Sequence, residues 1–400
     1  MSRWPDNSLG VYVSVPFCRS KCTYCNFASG VYPASEHARY VDRLVYDLSG
    51  APDKALQNVD LPSAVDTVYV GGGTPTLLEP DHFKRLFAAL RSRFHVEENA
   101  EITVECAPGQ LPAATLQAMV EAGVNRVSLG VQSFIDKEAR ETGRLHNRAA
   151  VIEDLARLRA AGIENLNVDL IAGLPGQTFA SWDESLSVLI DSGVPHASIY
   201  MLEVDEDSRL GREMLSGGAR YHAGLVPTDD AIARMYERAI ERLGDAGINQ
   251  YEISNYARAG FASRHNLRYW ERRPYLGVGL DASSALRAGA GLEVLRSKTT
   301  DDLTAYLDGS NIAETAWLSL NHQHEEAWFL GLRLNDGVRI AALEEEFGCE
   351  RVRPALNVVA KLAADGLVTS DHHRVCLTDQ GRLLSNEVFQ EFLGLVAACG

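Results

Sequence analysis

The sequence has no apolar run approaching the length of a membrane span, and its opening residues, Met1-Ser-Arg-Trp-Pro-Asp, lack the apolar core of a signal peptide. The expected location is therefore the cytoplasm, where thiols stay reduced. Basic charge is also short: 38 Lys and Arg stand against 54 Asp and Glu, a formal charge of −16. Such a field repels nucleic acid and anionic membrane unless a local basic patch intervenes, so no nucleic-acid partner is expected. Low-complexity tracts and long linkers are missing. The cysteine count of seven is odd, and Cys106, Cys349, Cys376 and Cys399 are scattered, which argues against a disulfide framework.

What remains is a long chain, 46% hydrophobic, able to bury a large core, with three cysteines set close together. Cys18, Cys22 and Cys25 stand as Cys-x3-Cys-x2-Cys directly after the strand-like run Val11–Val15. Thiolates suit zinc and iron–sulfur clusters alike. A structural zinc site takes four closed ligands, and no second Cys or His pair follows at a usable spacing. A [4Fe–4S] cube held by three thiolates keeps one iron open for an outside ligand, which marks a site for chemistry. Three buried free thiols would be the plain alternative, but the spacing and the neighbouring Gly30 and Pro33 read as a loop.

Strand-like and helix-like runs alternate over about 200 residues, the pattern of βα units around a parallel sheet. Candidate strands are Val11–Val15, Thr67–Val70, Glu101–Glu105, Arg126–Leu129, Asn165–Leu170 and His196–Met201, with helical periodicity at Phe83–Phe94, Ala113–Glu121 and Val151–Ala161. Gly123, Gly162 and Gly247 recur in Ala-Gly-Val/Ile phrases before strand-like stretches and read as helix C′ residues. Spacing alone leaves a doubly wound sheet and a barrel both open. After Glu203 the pattern breaks: Asp205–Pro227 reads as irregular, a helix follows over Asp229–Asp245, and Tyr251–Ala285 is rich in aromatics and glycines. Toward the end, Glu326–Leu334, Ile340–Phe347 and Val352–Ala364 read as helices and Leu367–Thr378 as a hairpin around Asp371-His-His-Arg. Helix, helix, hairpin is winged-helix-like, and without a dense basic stripe a structural or lid role is favoured over DNA binding.

The cysteine spacing after the first strand of a βα array resembles the radical S-adenosylmethionine superfamily. The resemblance implies an α/β fold built on an incomplete (β/α)6 barrel, with the open iron binding the methionine moiety of S-adenosylmethionine. Within the superfamily, the whole chain resembles the HemW heme chaperones, relatives of the oxygen-independent coproporphyrinogen III oxidase HemN. Gly71-Gly-Gly-Thr-Pro75 follows the second strand; without a Gly-Lys-Ser/Thr sequel it is not a phosphate loop. By resemblance, Gly72, Gly73 and Thr74 line the methionine end of the cofactor. Glu105, Gln132, Arg144 and Asp169 fall at or beyond strand C-termini, where barrel sites are built, and the family uses equivalents of these with Tyr12 and Tyr24 around the cofactor. Carboxylates can accept from ribose hydroxyls or an ammonium, and Arg144 can pair with a carboxylate. The implied divisions are 1–225 as the partial barrel with the cluster loop, 226–320 as a HemN-like extension, and 321–400 as the winged-helix-like α+β domain.

Phe27 stands where HemN-type oxidases carry a fourth cysteine, and only eleven residues precede Tyr12, against a longer extension in the oxidase. His265-Asn-Leu-Arg-Tyr-Trp270 matches the HNxxYW signature of HemW. The reading that follows makes His265 an axial heme ligand, Tyr269 and Trp270 flat faces for the macrocycle, and Arg264, Arg268, Arg272 and Arg273 partners for propionates. One departure stands out: relatives carry a Cys and a His where this chain has Leu280 and Ser283. The expected function is a heme chaperone that holds a [4Fe–4S] cluster, S-adenosylmethionine and heme, and passes heme to an acceptor protein. An electron donor and a homodimer are further expectations. The rival readings are the coproporphyrinogen oxidase, a radical methylase acting on an aromatic substrate, and DNA recognition through the C-terminal domain.

Overall fold

A computed structural model describes residues 8–49, 59, 61–287, 293–309, 312–371 and 373–395. Cys399, the opening hexapeptide and His372 of the C-terminal hairpin lie outside these residues. The first six strands are β1 (Leu9–Val15), β2 (Ala64–Gly72), β3 (His95–Cys106), β4 (Arg126–Gln132), β5 (Asn165–Ala172) and β6 (His196–Met201). They pair in chain order, all parallel, with helices between them, and β1 does not return to pair with β6. The result is an incomplete (β/α)6 barrel.

Side-chain alternation explains which face is which. Val11, Val13, Val15, Val68, Val70, Val104, Val127, Leu129, Leu166, Val168 and Ile199 are buried in one large core with helix residues such as Tyr40, Phe83, Leu86, Leu155 and Leu186. The intervening residues face the barrel interior, and they are polar: Tyr12, Tyr69, Glu105, Arg126, Ser128, Asn167, Asp169, His196 and Ser198. Outer residues thus supply the apolar burial that holds the helices on, and inner residues are released for binding. Gly123, Gly162 and Gly247 follow their helices with φ of 80°, 88° and 73°, as helix C′ glycines do.

Residues after the sixth strand continue the same sheet at both edges. Beyond β6 lie the short β7 (Asn249–Glu252) and β8 (Asn255–Ala257), with β8 antiparallel to β6. Beyond β1 lie β9 (Tyr275–Val278), parallel to it, then antiparallel β10 (Ser283–Arg287), β11 (Val294–Thr299) and β12 (Ile312–Leu318). Twelve strands therefore share one sheet. The irregular reading of Asp205–Pro227 misses a helix over Arg209–Leu215, capped by the Ser208 side chain, which is too short to show periodicity.

The C-terminal domain has its own three-stranded sheet, β13 (Val338–Arg339), β14 (Val368–Ser370) and β15 (Arg374–Leu377), in the order β13-β15-β14. Helices Leu320–Gly331, Ile340–Phe347 and Cys349–Ala364 pack with it around a separate core that includes Trp328, Phe347, Val359, Val375 and Phe392. The first of these starts six residues before the expected Glu326, because Ser319 caps a polar opening turn that carries no apolar stripe.

Candidate functional site

The cluster loop is tied down by backbone on every side. Cys18 N–H donates to Gly30 O at 2.8 Å and Gly30 N–H to Pro16 O at 2.9 Å, closing the loop at its base. Thr23 N–H reaches Thr142 O at 3.1 Å, and Leu210 N–H reaches Thr23 O at 2.8 Å, so the missed short helix braces the loop. Lys21 Nζ caps Phe27 O and Ser29 O at 3.0 and 3.1 Å. The three thiols are unbridged and face one cavity of about 800 Å³. Burial raises the Cys18 thiol's pKa, while hydrogen bonds from Ser29 and Thr74 favour its thiolate.

Among the described residues no three His, Cys, Asp or Glu side chains converge tightly enough to hold a single metal ion. A four-iron cube spreads its thiolates over a wider footprint than one ion, and the loop fits such a cluster. Arg144 Nη1 donates to Cys22 Sγ at 3.5 Å and Thr74 Oγ1 to Cys18 Sγ at 3.9 Å, donors that stabilise thiolate charge.

The glycine run forms the adjoining wall. Gly73 N–H donates to Val15 O at 2.8 Å, and a Cβ there would stand 2.7 Å from Phe17 O. Gly72 has φ of 104° and donates its N–H to Glu105 Oε2 at 2.9 Å, while Tyr69 OH donates to Oε1 at the same distance. Burial raises the Glu105 pKa to about 7, helped by the nearby Asp169 charge and opposed by these two donors and by Arg126. Asp169 is raised as well, chiefly by burial, although Ser128 Oγ and Asn167 Nδ2 donate to it at 3.1 and 2.7 Å. Gln132 ends β4 with φ of 68°, at a register shift against β5. A non-glycine residue in that region costs on the order of 1–3 kcal/mol, a strain found where the chain must aim a side chain at a ligand. Arg144 comes from the loop after Asp136–Glu141 and donates to Gly130 O.

Cys18, Cys22, Cys25, Tyr24, Gly72, Gly73, Thr74, Glu105, Gln132, Arg144 and Asp169 all line this one cavity. Tyr12 lies beneath it, its hydroxyl 3.4 Å from where a Cβ on Gly72 would be. Sequence reasoning missed Ser128 and Tyr200, which strand parity could have found, since each lies two residues along the inner face from Arg126 or Ser198. It also missed Arg333, Ser385 and Asn386, by which the C-terminal domain closes one side of the cavity. No local signal in the sequence marks this contact.

His265, the expected axial heme ligand, lies in the interior. It is 1% exposed, and both ring nitrogens are engaged, Nδ1 with Thr67 Oγ1 and Nε2 with Tyr269 OH, each at 2.9 Å. Burial and the charges of Arg268 and Arg126 push its pKa down to about 3, so the ring is neutral. It lies outside the cavity, at the level of Thr67 and Glu101, where helix Arg264–Trp270 plugs the base of the barrel. The expected propionate partners are also committed: Arg264, Arg268 and Arg273 to the buried Asp66, and Arg272 to Glu346. Trp270 is covered by the Arg333 guanidinium, 4.2 Å above its ring. In this structure the HNxxYW motif forms a hydrogen-bonded plug. Leu280 is likewise buried, its N–H taken by Tyr40 OH at 2.7 Å.

Residues 12–189 match the model of the radical SAM superfamily and residues 318–384 that of the HemN C-terminal domain. The chain is 33% identical to the heme chaperone HemW of Lactococcus lactis, covering 96% of each chain, and 34% identical to that of Bacillus subtilis, covering 96% of this chain and 98% of the relative. It belongs to the HemW heme chaperone family. The Escherichia coli HemW is 30% identical over a similar span. HemN, the coproporphyrinogen III oxidase of Escherichia coli described as a radical SAM enzyme, superposes with a TM-score of 0.80 over 98% of this chain and 91% of its own, at 22% identity, which shows the shared fold. Membership of this radical SAM family implies the [4Fe–4S] cluster and S-adenosylmethionine, and the thiols and cavity fit both. Among the described residues no helix is long and apolar enough to cross a membrane.

Proposed function

We propose that this protein is a heme chaperone, binding heme beside a [4Fe–4S] cluster and S-adenosylmethionine and passing the heme to an acceptor protein. The observation that carries the reading is the similarity to heme chaperones along nearly the whole chain, barrel and C-terminal domain together. In this reading Cys18, Cys22 and Cys25 hold the cluster, Gly72, Gly73 and Thr74 border the methionine end of the cofactor, and Glu105, Gln132, Arg144 and Asp169 orient it. Bound there, the cluster supplies an open iron and an electron path, fed by a separate donor protein. The chain's own residues exclude water, fix the cofactor's charged groups and brace the loop.

Because His265 is enclosed in the plug, the heme is proposed to meet the chain at the mouth of the cavity. Phe27 and Leu145, 63% and 62% exposed on the lining of the cavity, offer apolar surface to a flat macrocycle at its mouth. The test is a heme titration of anaerobically reconstituted protein. Wild type is expected to saturate near one heme per chain with a shifted Soret band. His265→Ala that still folds should keep that spectrum, and Leu145→Glu should weaken binding. Release of carbon dioxide from coproporphyrinogen III without specific heme binding would move the assignment to the oxidase.

A further inference from the structure

Arg126 opens β4 on the inner face of the barrel, two residues before Ser128 and therefore one strand step below it. Ser128 is level with Glu105 on β3 and Asn167 on β5, and it donates to Asp169. The guanidinium thus lies beneath the two carboxylates of the cofactor cavity. Arg126 is 1% exposed, and its Nε and Nη2 have no hydrogen-bond partner. A guanidinium cannot shed its proton, and a buried charge without partners is costly unless counter-charges face it. The titratable groups its charge acts on come from every surrounding element: Tyr69, Glu105, Asp169, His196, Tyr251 and His265. Four of them, the phenols and the neutral imidazoles, carry no charge near neutral pH. Of the buried carboxylates nearby, Glu101 accepts from the N–H groups of Arg264 and His265 at the base and Glu252 pairs with Arg333, while Glu105 and Asp169 face the cofactor cavity and feel the guanidinium charge.

We infer that Arg126 is a positioning residue for S-adenosylmethionine, the fixed interior cation that keeps Glu105 and Asp169 charged so that both accept hydrogen bonds from the cofactor. The inference rests on the cofactor site proposed above. The arrangement also gives binding a pH dependence. Glu105 titrates at about 7, so the charged acceptor forms as pH rises through neutrality and cofactor affinity rises with it. Without the Arg126 charge the carboxyl holds its proton to higher pH, and the rise in affinity moves the same way.

The experiment uses cluster-loaded protein under anaerobic conditions. S-adenosylmethionine affinity is measured across neutral pH from the perturbed cluster spectrum, and the Glu105 carboxyl is followed without cofactor by difference infrared spectroscopy against Glu105→Gln. Arg126→Gln should move both midpoints upward, with iron content intact. Arg126→Lys should stay near wild type. Unmoved midpoints in a folded Arg126→Gln overturn the inference. If Asp169→Asn and Glu105→Gln leave affinity unchanged, it is the cofactor site itself that fails. Should Arg126→Gln not fold alone, its stability effect is read in the Glu105→Gln/Asp169→Asn background. There an uncompensated cation makes Arg126→Gln stabilising, whereas a purely structural arginine would leave it destabilising.

Discussion

The two ends of the barrel strands carry the two sequence motifs, and their hydrogen bonding differs in kind. At the C-terminal ends the cluster loop, the glycine run and Glu105, Gln132 and Asp169 face an open cavity, with thiols unbridged and backbone strained at Gln132. At the base, His265 has both nitrogens engaged, Arg268 donates to Ser8 O, Pro274 O and Asp66, and Glu101 accepts from the N–H groups of Arg264 and His265. The first set opens onto the cavity, and the second is enclosed within the fold. A histidine beside aromatics in a sequence looks the same in either case.

The comparison breaks most readily at the cysteines. Replacing Cys18, Cys22 or Cys25 by alanine should take iron from about four per chain to near zero, whereas Cys349→Ala and Cys376→Ala should change nothing. Metal analysis after anaerobic reconstitution reads this directly, and zinc in place of iron would sink the upper half of the comparison.

At the base the expected loss is of stability. Asp66→Ala leaves Arg264, Arg268 and Arg273 facing one another with their buried counter-ion gone. Breaking a buried pair in this way costs about 3–5 kcal/mol. The cluster-loaded variant should unfold at a clearly lower denaturant concentration while binding its iron normally before the transition. A normal midpoint with lost iron would reverse the roles given to the two ends.

A further test depends on pH. His265 is neutral in the fold, with its pKa near 3, while the unfolded chain protonates near 6.5. Between those values the unfolded state binds more protons, so stability falls as pH drops through that window, by up to about 1.4 kcal/mol per unit from this group. His265→Gln should flatten that part of the stability profile, though His146 and His324, also held low by burial, keep some slope. An unchanged slope would mean the imidazole is reached by solvent and the plug is looser than its hydrogen bonds indicate.

Much of the architecture was legible because it is local. Five of the six parallel strands match the expected bounds within three residues, and β3 starts six residues before the expected Glu101; period-2 alternation and helix-ending glycines are written in neighbouring positions. The cluster loop was legible because three thiolates at that spacing suit few other chemistries, and Gly73 because close backbone approach leaves no room for a side chain. Short helices without an apolar stripe, at Arg209–Leu215 and the first turns of Leu320–Gly331, were not.

By itself, then, the sequence determined the βα repeat, the three-cysteine loop and the family. The tertiary structure alone decided that residues after the sixth strand would lengthen both edges of one sheet, and that Arg333 would turn from its own domain into the cavity. It alone enclosed His265. Whether an imidazole is a ligand or a strut depends on where its lone pair and proton go, and here Thr67, almost two hundred positions away, takes one of them.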